Sequence, residues 1–401
     1  MSWSTVRADQ FCTLITDGTH DSPKPQQSGW KLITSKHLKG HYIDFDSANW
    51  ISEADYLKVI SRSAVEQWDI LFSMIGTIGN IYLEKNPHVE YACKNMGIFK
   101  FSGNKENALW MYYYLRSPQA KAYIQTHLRG STQAYVPLGG LREMPVPVPP
   151  QTVRNEIIAI LRPIDEKIEC NNAINDNLQR QLRTIFKAEF TDNPELEKMT
   201  QIPLSELCHV VTKGTTPTTL GKPFVESGII FIKAESILAD HSLDKSKFAF
   251  IDEETNALLK RSVIHAGDIV FTIAGTLGRF ALIDDNALPA NTNQAVAIIR
   301  ADAEKVLPEY IYTCFIGEWH TDYYAKRVQQ AVQANLSLTT IKSLPIPVLD
   351  KAKMDEYLRL ILPLIKAIKG NEAQNEKLAA LRDALLPKLM SGEIDVSAVQ
   401  L

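Results

Sequence analysis

The sequence has few features of an exported, membrane or disulfide-bonded protein. Its 401 residues include five cysteines that lie far apart and form no CxxC pair, which argues against a disulfide framework or a zinc site. No apolar run approaches the length of a membrane span, and residues 1–20 lack the pattern of a secretion signal. We therefore expect a cytoplasmic protein with no membrane contact, whose cysteines pack in its interior: Cys12, Cys93, Cys170, Cys208 and Cys314.

A basic excess is also missing from the composition. Lys and Arg number 43 against 46 Asp and Glu, which gives a formal net charge of −3. Proteins that bind nucleic acid usually carry more positive than negative charge. Composition alone therefore does not indicate a nucleic-acid partner, and any surface that faces DNA must be a local patch.

The chain repeats itself with a period of about 200 residues. WDILFSMIGTIG at residues 68–79 returns as GDIVFTIAGTLG at residues 267–278. The triplet DGT at 17–19 parallels KGT at 213–215, and MPVPV at 144–148 parallels LPIPV at 344–348. Each copy predicts mixed α/β structure with short strands, at 69–74 and 268–273, each followed by a hairpin turn at GTxG. No series of parallel βαβ units is visible.

An amphipathic stretch follows each proline pair. Apolar residues and two asparagines recur at alternating spacings of four and three from Ile157, and the second copy repeats them with an offset of 200 residues from Tyr357. This spacing predicts two long helices that pair as an antiparallel coiled coil. The pairing positions are Ile164, Ile168, Asn171, Asn175 and Leu178, with Leu364, Ile368, Asn371, Asn375 and Leu378; Leu381 and Leu385 continue the second stripe.

The asparagines have two interpretations. Amides in a helix seam can satisfy one another only when the helices align correctly, so they fix register and partner. Alternatively, they mark a solvated stretch of a helix that is buried elsewhere. Pro163 and Pro363 also coincide in the two copies, and we expect each helix to bend or restart there.

These patterns predict an α+β fold made of two repeated globular domains, each followed by a long helix. The expected segments are a first domain at 1–150, a central helix at 151–198, a second domain at 199–350 and a C-terminal helix and tail at 351–401.

The chain resembles the Type I restriction-modification specificity subunit family. The resemblance rests on the repeated GDIVF-type strand with its GTxG turn, the GIIFIK run at 228–233, the PxP sequence before each long helix, and the two helices. The resemblance covers nearly the whole chain. It implies two target-recognition domains separated by paired helices, with no active site in this chain. It also implies binding to a bipartite sequence of double-stranded DNA, to two methyltransferase subunits and to motor-nuclease subunits.

The same resemblance places the chemistry on those partners. S-adenosylmethionine, ATP and Mg are expected on partner subunits, and this chain is expected to bind no cofactor. In agreement, the sequence contains no NPPY or DPPY tetrapeptide, no FxGxG and no GxxxxGK[ST]. The first copy departs from the second in having Trp68 in place of Gly267, and Lys36-His37 in place of Glu235-Ser236. Such differences are expected if the two copies read different bases.

Two clusters in each copy carry the side-chain types that read base edges and hold phosphates. The first cluster is the glycine loop and the strand after it: Thr19, His20, Lys31, Thr34, Lys36 and His37, and in the second copy Lys213, Thr215, Thr216 and Lys233. The second cluster precedes each helix: Arg129, Ser131, Thr132, Gln133 and Tyr135, and in the second copy Arg327, Gln329, Gln330, Gln333 and Asn335. For any single residue, a solvated turn is the alternative.

Other motifs favour structural interpretations. The GTxG turns resemble a nucleotide-clamping GxxG loop, but a hairpin turn explains them better. His37 and His41 have i, i+4 spacing without a second ligand pair, so we expect no metal site. The aromatic run 110–114 fits a helix core better than base stacking. Two rival functions stay open: a DNA methyltransferase or nuclease, which would need the missing motifs, and a coiled-coil scaffold for protein partners that never binds DNA.

Overall fold

The computed structural model describes residues 3–40, 42–194, 199–328 and 335–396. It divides into a first unit, Met1–Glu169 with Lys377–Leu401, and a second unit, Cys170–Glu376. Each unit therefore combines one globular part with portions of both long helices. The predicted segments 1–150, 151–198, 199–350 and 351–401 follow sequence order and stay a prediction.

The described residues of the first unit form nine strands in three small sheets. Their bounds are β1 (Ser4–Arg7), β2 (Leu14–Asp17), β3 (Trp30–Ile33), β4 (Asn49–Ile51), β5 (Ile70–Ser73), β6 (Ile81–Leu83), β7 (Tyr91–Cys93), β8 (Met96–Lys100) and β9 (Pro145–Val148). The strand orders are β2-β8-β5-β6, β4-β3-β7 and β1-β9. The helices are α1 (Ala8–Phe11), α2 (Glu53–Ser63), α3 (Lys105–Arg116), α4 (Pro118–Thr126), α5 (Leu138–Glu143) and α6 (Gln151–Phe186), the last of which continues into the second unit.

The second unit repeats this topology. Its strands are β10 (Thr200–Pro203), β11 (Cys208–Lys213), β12 (Ile229–Ile232), β13 (Ala249–Ile251), β14 (Ile269–Thr272), β15 (Phe280–Leu282), β16 (Ala290–Thr292), β17 (Val296–Ala301) and β18 (Pro345–Val348). They are ordered β11-β17-β14-β15, β13-β12-β16 and β10-β18. The helices are α7 (Glu253–Leu258), α8 (Pro308–Ile316), α9 (Thr321–Val328), α10 (Leu338–Lys342) and α11 (Lys351–Ser391), which ends in the first unit. The predicted α+β repeat is confirmed.

The two GTxG segments are hairpin turns, as predicted. In the first unit β5 pairs antiparallel with β6, and Gly76 and Gly79 between them have φ of 78° and 88°. In the second unit β14 pairs with β15, and Gly275 and Gly278 have φ of 76° and 80°. Residues with a Cβ rarely adopt these angles, which explains the glycines.

A buried aspartate begins each of these hairpins. Asp268 is fully buried and accepts two hydrogen bonds of 2.7 Å from Arg300 and one of 2.8 Å from the His265 amide. In the first unit, Asp69 accepts 2.8 Å bonds from Lys100 and from the Glu66 amide. A buried carboxylate requires such partners because desolvation of the charge is costly. The aspartates of the repeated motif are therefore structural.

The proline pairs lie in two-stranded ribbons, where each strand is an edge and a missing amide N–H is tolerated. β9 pairs with β1 and β18 pairs with β10. In each unit an aromatic donor from the helical layer bonds to a proline carbonyl: Trp110 Nε1 to Pro147 at 2.8 Å, and the Tyr310 hydroxyl to Pro347 at 2.6 Å. The aromatic run 110–114 thus belongs to a helix core, as predicted, with Trp110 fully buried.

Both long helices are present, with 36 residues in α6 and 41 in α11. Both continue through Pro163 and Pro363, so neither helix restarts there, and the other expectation, a bend, stays a prediction. Every pairing position predicted from the spacing is buried or half-buried. The extension of the stripe to Leu381 is also wrong, because its side chain is 49% exposed. Leu386 and Leu389 are buried instead.

The asparagines of the two helices bond to one another, which shows the predicted antiparallel pairing. Asn371 Nδ2 donates to Asn175 Oδ1 at 2.8 Å, and Asn171 Nδ2 donates to Asn375 Oδ1 at 2.8 Å. The higher-numbered residue of α6 therefore meets the lower-numbered residue of α11. This crossed pattern excludes the alternative of a merely solvated stretch, because Asn171 is fully buried.

Each unit's core includes residues from both long helices. Ile157 and Leu161 of α6 and Leu386 and Leu389 of α11 pack with the first unit's sheet and α3. Leu182 and Phe186 of α6 and Tyr357, Ile361 and Ile368 of α11 pack with the second unit's sheet and α8. The last part of each helix thus completes the core of the unit that the other repeat forms.

The cysteines are all free thiols. Cys12, Cys93 and Cys314 are buried, as expected. Cys208 is half-buried and Cys170 is exposed on α6, so the interpretation of all five as packing residues is wrong for Cys170. Among the described residues, no helix is both long and apolar enough to cross a membrane.

Three buried polar groups lie among aromatic rings of the second unit. Nδ1 of His241, Nδ1 of His320 and the hydroxyl of Tyr324 have no hydrogen-bond partner among the described residues. The rings of His241 and His320 lie 4.0 and 5.9 Å from that of Phe280. Burial lowers the pKa of both histidines from 6.5 to about 4, with smaller contributions from Arg183 to His241 and from His241 to His320.

We predict that the second unit loses stability as pH falls from 6.5 towards 4. In this pH range the two histidines are protonated in the unfolded chain but neutral in the folded protein. This difference lowers the free energy of unfolding by about 2 kcal/mol per ring near pH 5. Hydrogen-exchange protection of β14 and α8, corrected for intrinsic rates, measures the loss. His320→Phe should remove about half of this pH dependence, and an unchanged slope would contradict the assignment.

We also predict that leucine at Asn171, Asn175, Asn371 and Asn375 together stabilises the helix pair and loosens its register. Leucine at Asn171 and Asn175 alone should destabilise the pair by about 1–3 kcal/mol, because the half-buried Asn371 loses its acceptor, whereas Asn375 keeps its bond to Asn172. Thermal unfolding compares the stability of the wild type, the double variant and the fourfold variant. Cysteine crosslinking between the two helices measures their register. Equal stability of the two variants, or one unique crosslinking pattern in the fourfold variant, would refute this role.

Candidate nucleic-acid interface

The glycine loop of the first unit follows β2 and lies against the end of β7. A Cβ at Gly18 would stand 2.4 Å from the carbonyl oxygen of Cys93, so only glycine allows this approach. The Thr19 amide donates to the Cys93 carbonyl at 2.9 Å, and the Asn95 amide donates to the Thr19 carbonyl at 3.1 Å. The loop is therefore held at the end of a parallel strand pair, β3 and β7.

His20 projects from this loop with an imidazole that is 68% exposed. Its Nε2 lies 2.9 Å from Asp17 Oδ2 and its Nδ1 lies 2.8 Å from Asn95 Oδ1. Arg62, in the last turn of α2, donates to the carbonyls of Asp17 and Gly18 at 3.3 and 3.0 Å. The loop and α2 border an open groove of about 800 Å³.

The second unit builds the same loop with different side chains. A Cβ at Gly214 would stand 1.8 Å from the Thr292 carbonyl oxygen, at the end of the parallel pair β12 and β16. The Thr216 hydroxyl donates to Gln294 Oε1. Arg261 donates to the Thr215 hydroxyl at 3.3 Å, which corresponds to the contact of Arg62 with its own loop. Lys213 is exposed at the start of this loop.

The remaining members of the first cluster differ in exposure. Lys36 is exposed, whereas Lys31 is half-buried, donates to the Ala48 carbonyl at 2.9 Å and lies 3.9 Å from the Trp50 ring centre. His37 is only 1% exposed, and its Nδ1 accepts from the Thr34 amide at 2.9 Å. In this conformation His37 therefore closes a turn and has no access to a ligand. In the second unit, Lys233 pairs with Glu235 at 2.9 Å.

The second cluster of the first unit is an exposed hairpin loop. Arg129 and Tyr135 close it through two backbone hydrogen bonds of 2.9 Å. The tip, Ser131, Thr132 and Gln133, is exposed. The next amide, that of Val136, donates to the Met74 carbonyl at 2.9 Å, so the loop is anchored beside the β5 hairpin.

The matching segment of the second unit is described at its two ends. Asn335 is exposed, and the following Leu336 amide donates to the Ile273 carbonyl at 2.9 Å. Arg327 belongs to α9. Gln329, Gln330 and Gln333 lie outside the described residues.

Acidic groups accompany the cations of these surfaces. Lys58 of α2 pairs with Asp21 at 3.1 Å, and Lys222 pairs with Glu254 at 2.6 Å. Within the described part of the chain, no group of three His, Cys, Asp or Glu side chains could hold a metal ion. His41 lies outside that part.

The sequence interpretation did not include the arginines and amides that hold the glycine loops. Arg62 and Arg261 align in the repeat, since RSAVEQWDI at 62–70 parallels RSVIHAGDI at 261–269. Asn95 and Gln294 share the same offset of 199 residues. The constant offset in the sequence could therefore have shown that these residues are equivalent in the two copies. It could not have shown that strand pairing brings them to the glycine loops.

Comparison with known proteins identifies the same repeat. The family described as Type I restriction modification DNA specificity domain matches residues 3–180 and 197–378. The Type I restriction enzyme MjaIX specificity subunit of Methanocaldococcus jannaschii is 24% identical over 388 residues, covering 91% of this chain and 86% of that protein. The HindI specificity subunit of Haemophilus influenzae is 21% identical over 428 residues, covering 86% and 90%.

A solved structure shares the fold. The S subunit of a Type-I restriction-modification system from M. genitalium superposes with a TM-score of 0.52 at 14% identity, covering 97% of this chain and 96% of that one. The two family matches coincide with the two structural repeats and together include most of the chain. The resemblance inferred from the repeated motifs is confirmed, and the chain belongs to the Type I restriction modification DNA specificity domain family.

Proposed function

We propose that this chain is the DNA-reading subunit of a Type I restriction-modification complex. Each globular unit reads one half of a bipartite site in double-stranded DNA, and the chain carries out no catalysis. It directs methyltransferase and motor-nuclease subunits to that site in the cytoplasm. S-adenosylmethionine, ATP and Mg belong to those partners in this proposal.

The observation that carries the proposal is a duplicated scaffold with different exposed tips. Both units place a glycine loop at the end of a parallel strand pair and hold it with an arginine, which is Arg62 of α2 in the first unit and Arg261, three residues beyond the end of α7, in the second. The polar residues at the equivalent positions of the two loops nevertheless differ, with the exposed His20 in one and the half-buried Thr216 in the other. A protein that reads two different half-sites requires this combination, because base identity is read by side-chain donors and acceptors.

The exposed hairpin loop at 129–135 supports the same function. Its tip offers hydroxyl and amide groups on a backbone closed by hydrogen bonds. Hydroxyl and amide side chains contact phosphates and base edges in DNA complexes. The net charge of −3 favours a protein scaffold as a second candidate function, in which the same loops would never contact DNA.

The proposal is tested by replacing approximately residues 10–145 with the corresponding segment of another family member. We expect the methylated sequence of the assembled complex to change in one half only, because the second unit is untouched. Genome-wide mapping of methylated adenine measures both halves. A change in both halves would contradict one reader per unit, and an unchanged motif would support the scaffold.

Gln133→Ala should weaken specific binding by about 1–3 kcal/mol, the value of a good bidentate base contact. Affinity of the complex for its methylated motif, compared with a scrambled duplex at the same salt concentration, is the measurement. Gln125→Ala, on the exposed side of α4, is the matched control and should bind normally. Equal affinities for the two variants would remove Gln133 from the interface.

A further inference from the structure

Each unit joins its glycine loop to the end of the neighbouring strand by a polar side-chain pair at the surface. In the first unit the pair is His20 and Asn95, with 2.8 Å between Nδ1 and Oδ1. In the second unit the pair is Thr216 and Gln294, joined from hydroxyl to amide oxygen. The two pairs are equivalent in topology, since each links the loop after the first strand of the main sheet to the residue two places beyond β7 or β16.

The backbone beneath the two pairs shares a close glycine approach but differs in its hydrogen bonds. Gly18 and Gly214 both stand closer to a strand carbonyl than a Cβ would allow, at Cys93 and Thr292 respectively. The Gly18 amide donates to the Met96 carbonyl at 2.9 Å, whereas the Gly214 amide donates to the Asn293 carbonyl at 3.0 Å. A fixed backbone with a variable polar pair at its tip is the arrangement expected of a position that determines specificity.

The chemistry of the pairs fits contact with a base edge. The Gln294 amide oxygen accepts from the Thr216 hydroxyl, and the Asn95 amide lies 2.8 Å from the His20 ring through Oδ1. Gln294 is exposed and Asn95 is half-buried at the surface. Amide side chains distinguish adenine through its N6 and N7 atoms, and a hydroxyl can serve as donor or acceptor.

Arg62 and Arg261 hold the loops rather than forming part of the side-chain pairs. Arg62 bonds to backbone carbonyls and Arg261 to the Thr215 hydroxyl, so each fixes the loop that presents the pair. They are positioning residues. Replacing them would move the loop, whereas replacing the pair changes only the groups that it presents.

We propose that His20–Asn95 and Thr216–Gln294 are equivalent specificity pairs, each of which selects bases in the half-site of its own unit. The inference rests on the proposed function and assigns it to four side chains. A purely structural role for the pairs is the competing explanation, in which they close the loops and leave base choice to other residues.

Transplanting one pair into the other unit separates these explanations. The variant His20→Thr with Asn95→Gln gives the first unit the second unit's pair, and Thr216→His with Gln294→Asn is the reciprocal change. Asn86→Gln, in the exposed loop between β6 and β7, is the matched control because its amide oxygen accepts only a local bond from the His88 amide. The full chain, assembled with its methyltransferase partner, is incubated with a pool of random-sequence duplexes, and the bound fraction is sequenced.

We expect each transplant to change base preference in one half-site, with roughly tenfold or greater loss of binding to the original sequence. The other half-site and the control should be unchanged. Thermal unfolding shows whether each variant folds, and the reciprocal variant decides the matter if one does not. Altered stability with unchanged preference in both halves would overturn the inference. Failure of the wild-type complex to enrich any sequence would instead overturn the proposed function.

Discussion

The constraint on which the rest of the structure depends is the exchange of helix ends between the two repeats. The last turns of α6 follow the first repeat in sequence but pack into the second unit, through Leu182 and Phe186. The last turns of α11 likewise pack into the first unit, through Leu386 and Leu389. Neither unit has a complete core without the helix of the other repeat. The antiparallel register of the helices therefore determines whether both units can fold.

The asparagine network sets that register at a modest cost in stability. Each of Asn171, Asn175, Asn371 and Asn375 bonds to an amide on the facing helix. Apolar residues alone would tolerate a slip by one turn, because leucine contacts are not directional. A slip would leave buried amides unpaired at a cost of about 1–3 kcal/mol each. The paired asparagines thus select one register of the two helices, while the apolar stripe supplies most of the stability.

Sequence analysis predicted the parts of the fold that are local or repeated. The hairpins at GTxG, the two long helices and the pairing of asparagines all follow from spacing, which is the same in both copies. The burial of His37 was not predicted, because its turn is formed by a bond between its ring and the Thr34 amide. Neither helix restarts at Pro163 or Pro363, so of the two expected outcomes at these prolines only a bend stays open.

The candidate site was predicted in outline only. The glycine loops follow from the repeat, but Asn95 and Gln294 reach them through parallel strand pairs that join residues about 75 positions apart. Sequence patterns carry little information on such contacts, because one strand can pair with many others. The contribution of Arg62 and Arg261 was missed for the same reason.

The exchanged helix ends also bear on the order in which the protein can fold during synthesis. The sheet and helices of the first unit leave the ribosome early, but Leu386, Leu389 and Met390 of the same core emerge some two hundred residues after the first part of α6. Until then the first unit exposes an apolar face beside α3. The second unit, whose residues are contiguous from 170 to 376, can complete its core earlier. In the order of synthesis, Ile368 of the second unit's core precedes Leu389 of the first unit's core by about twenty residues.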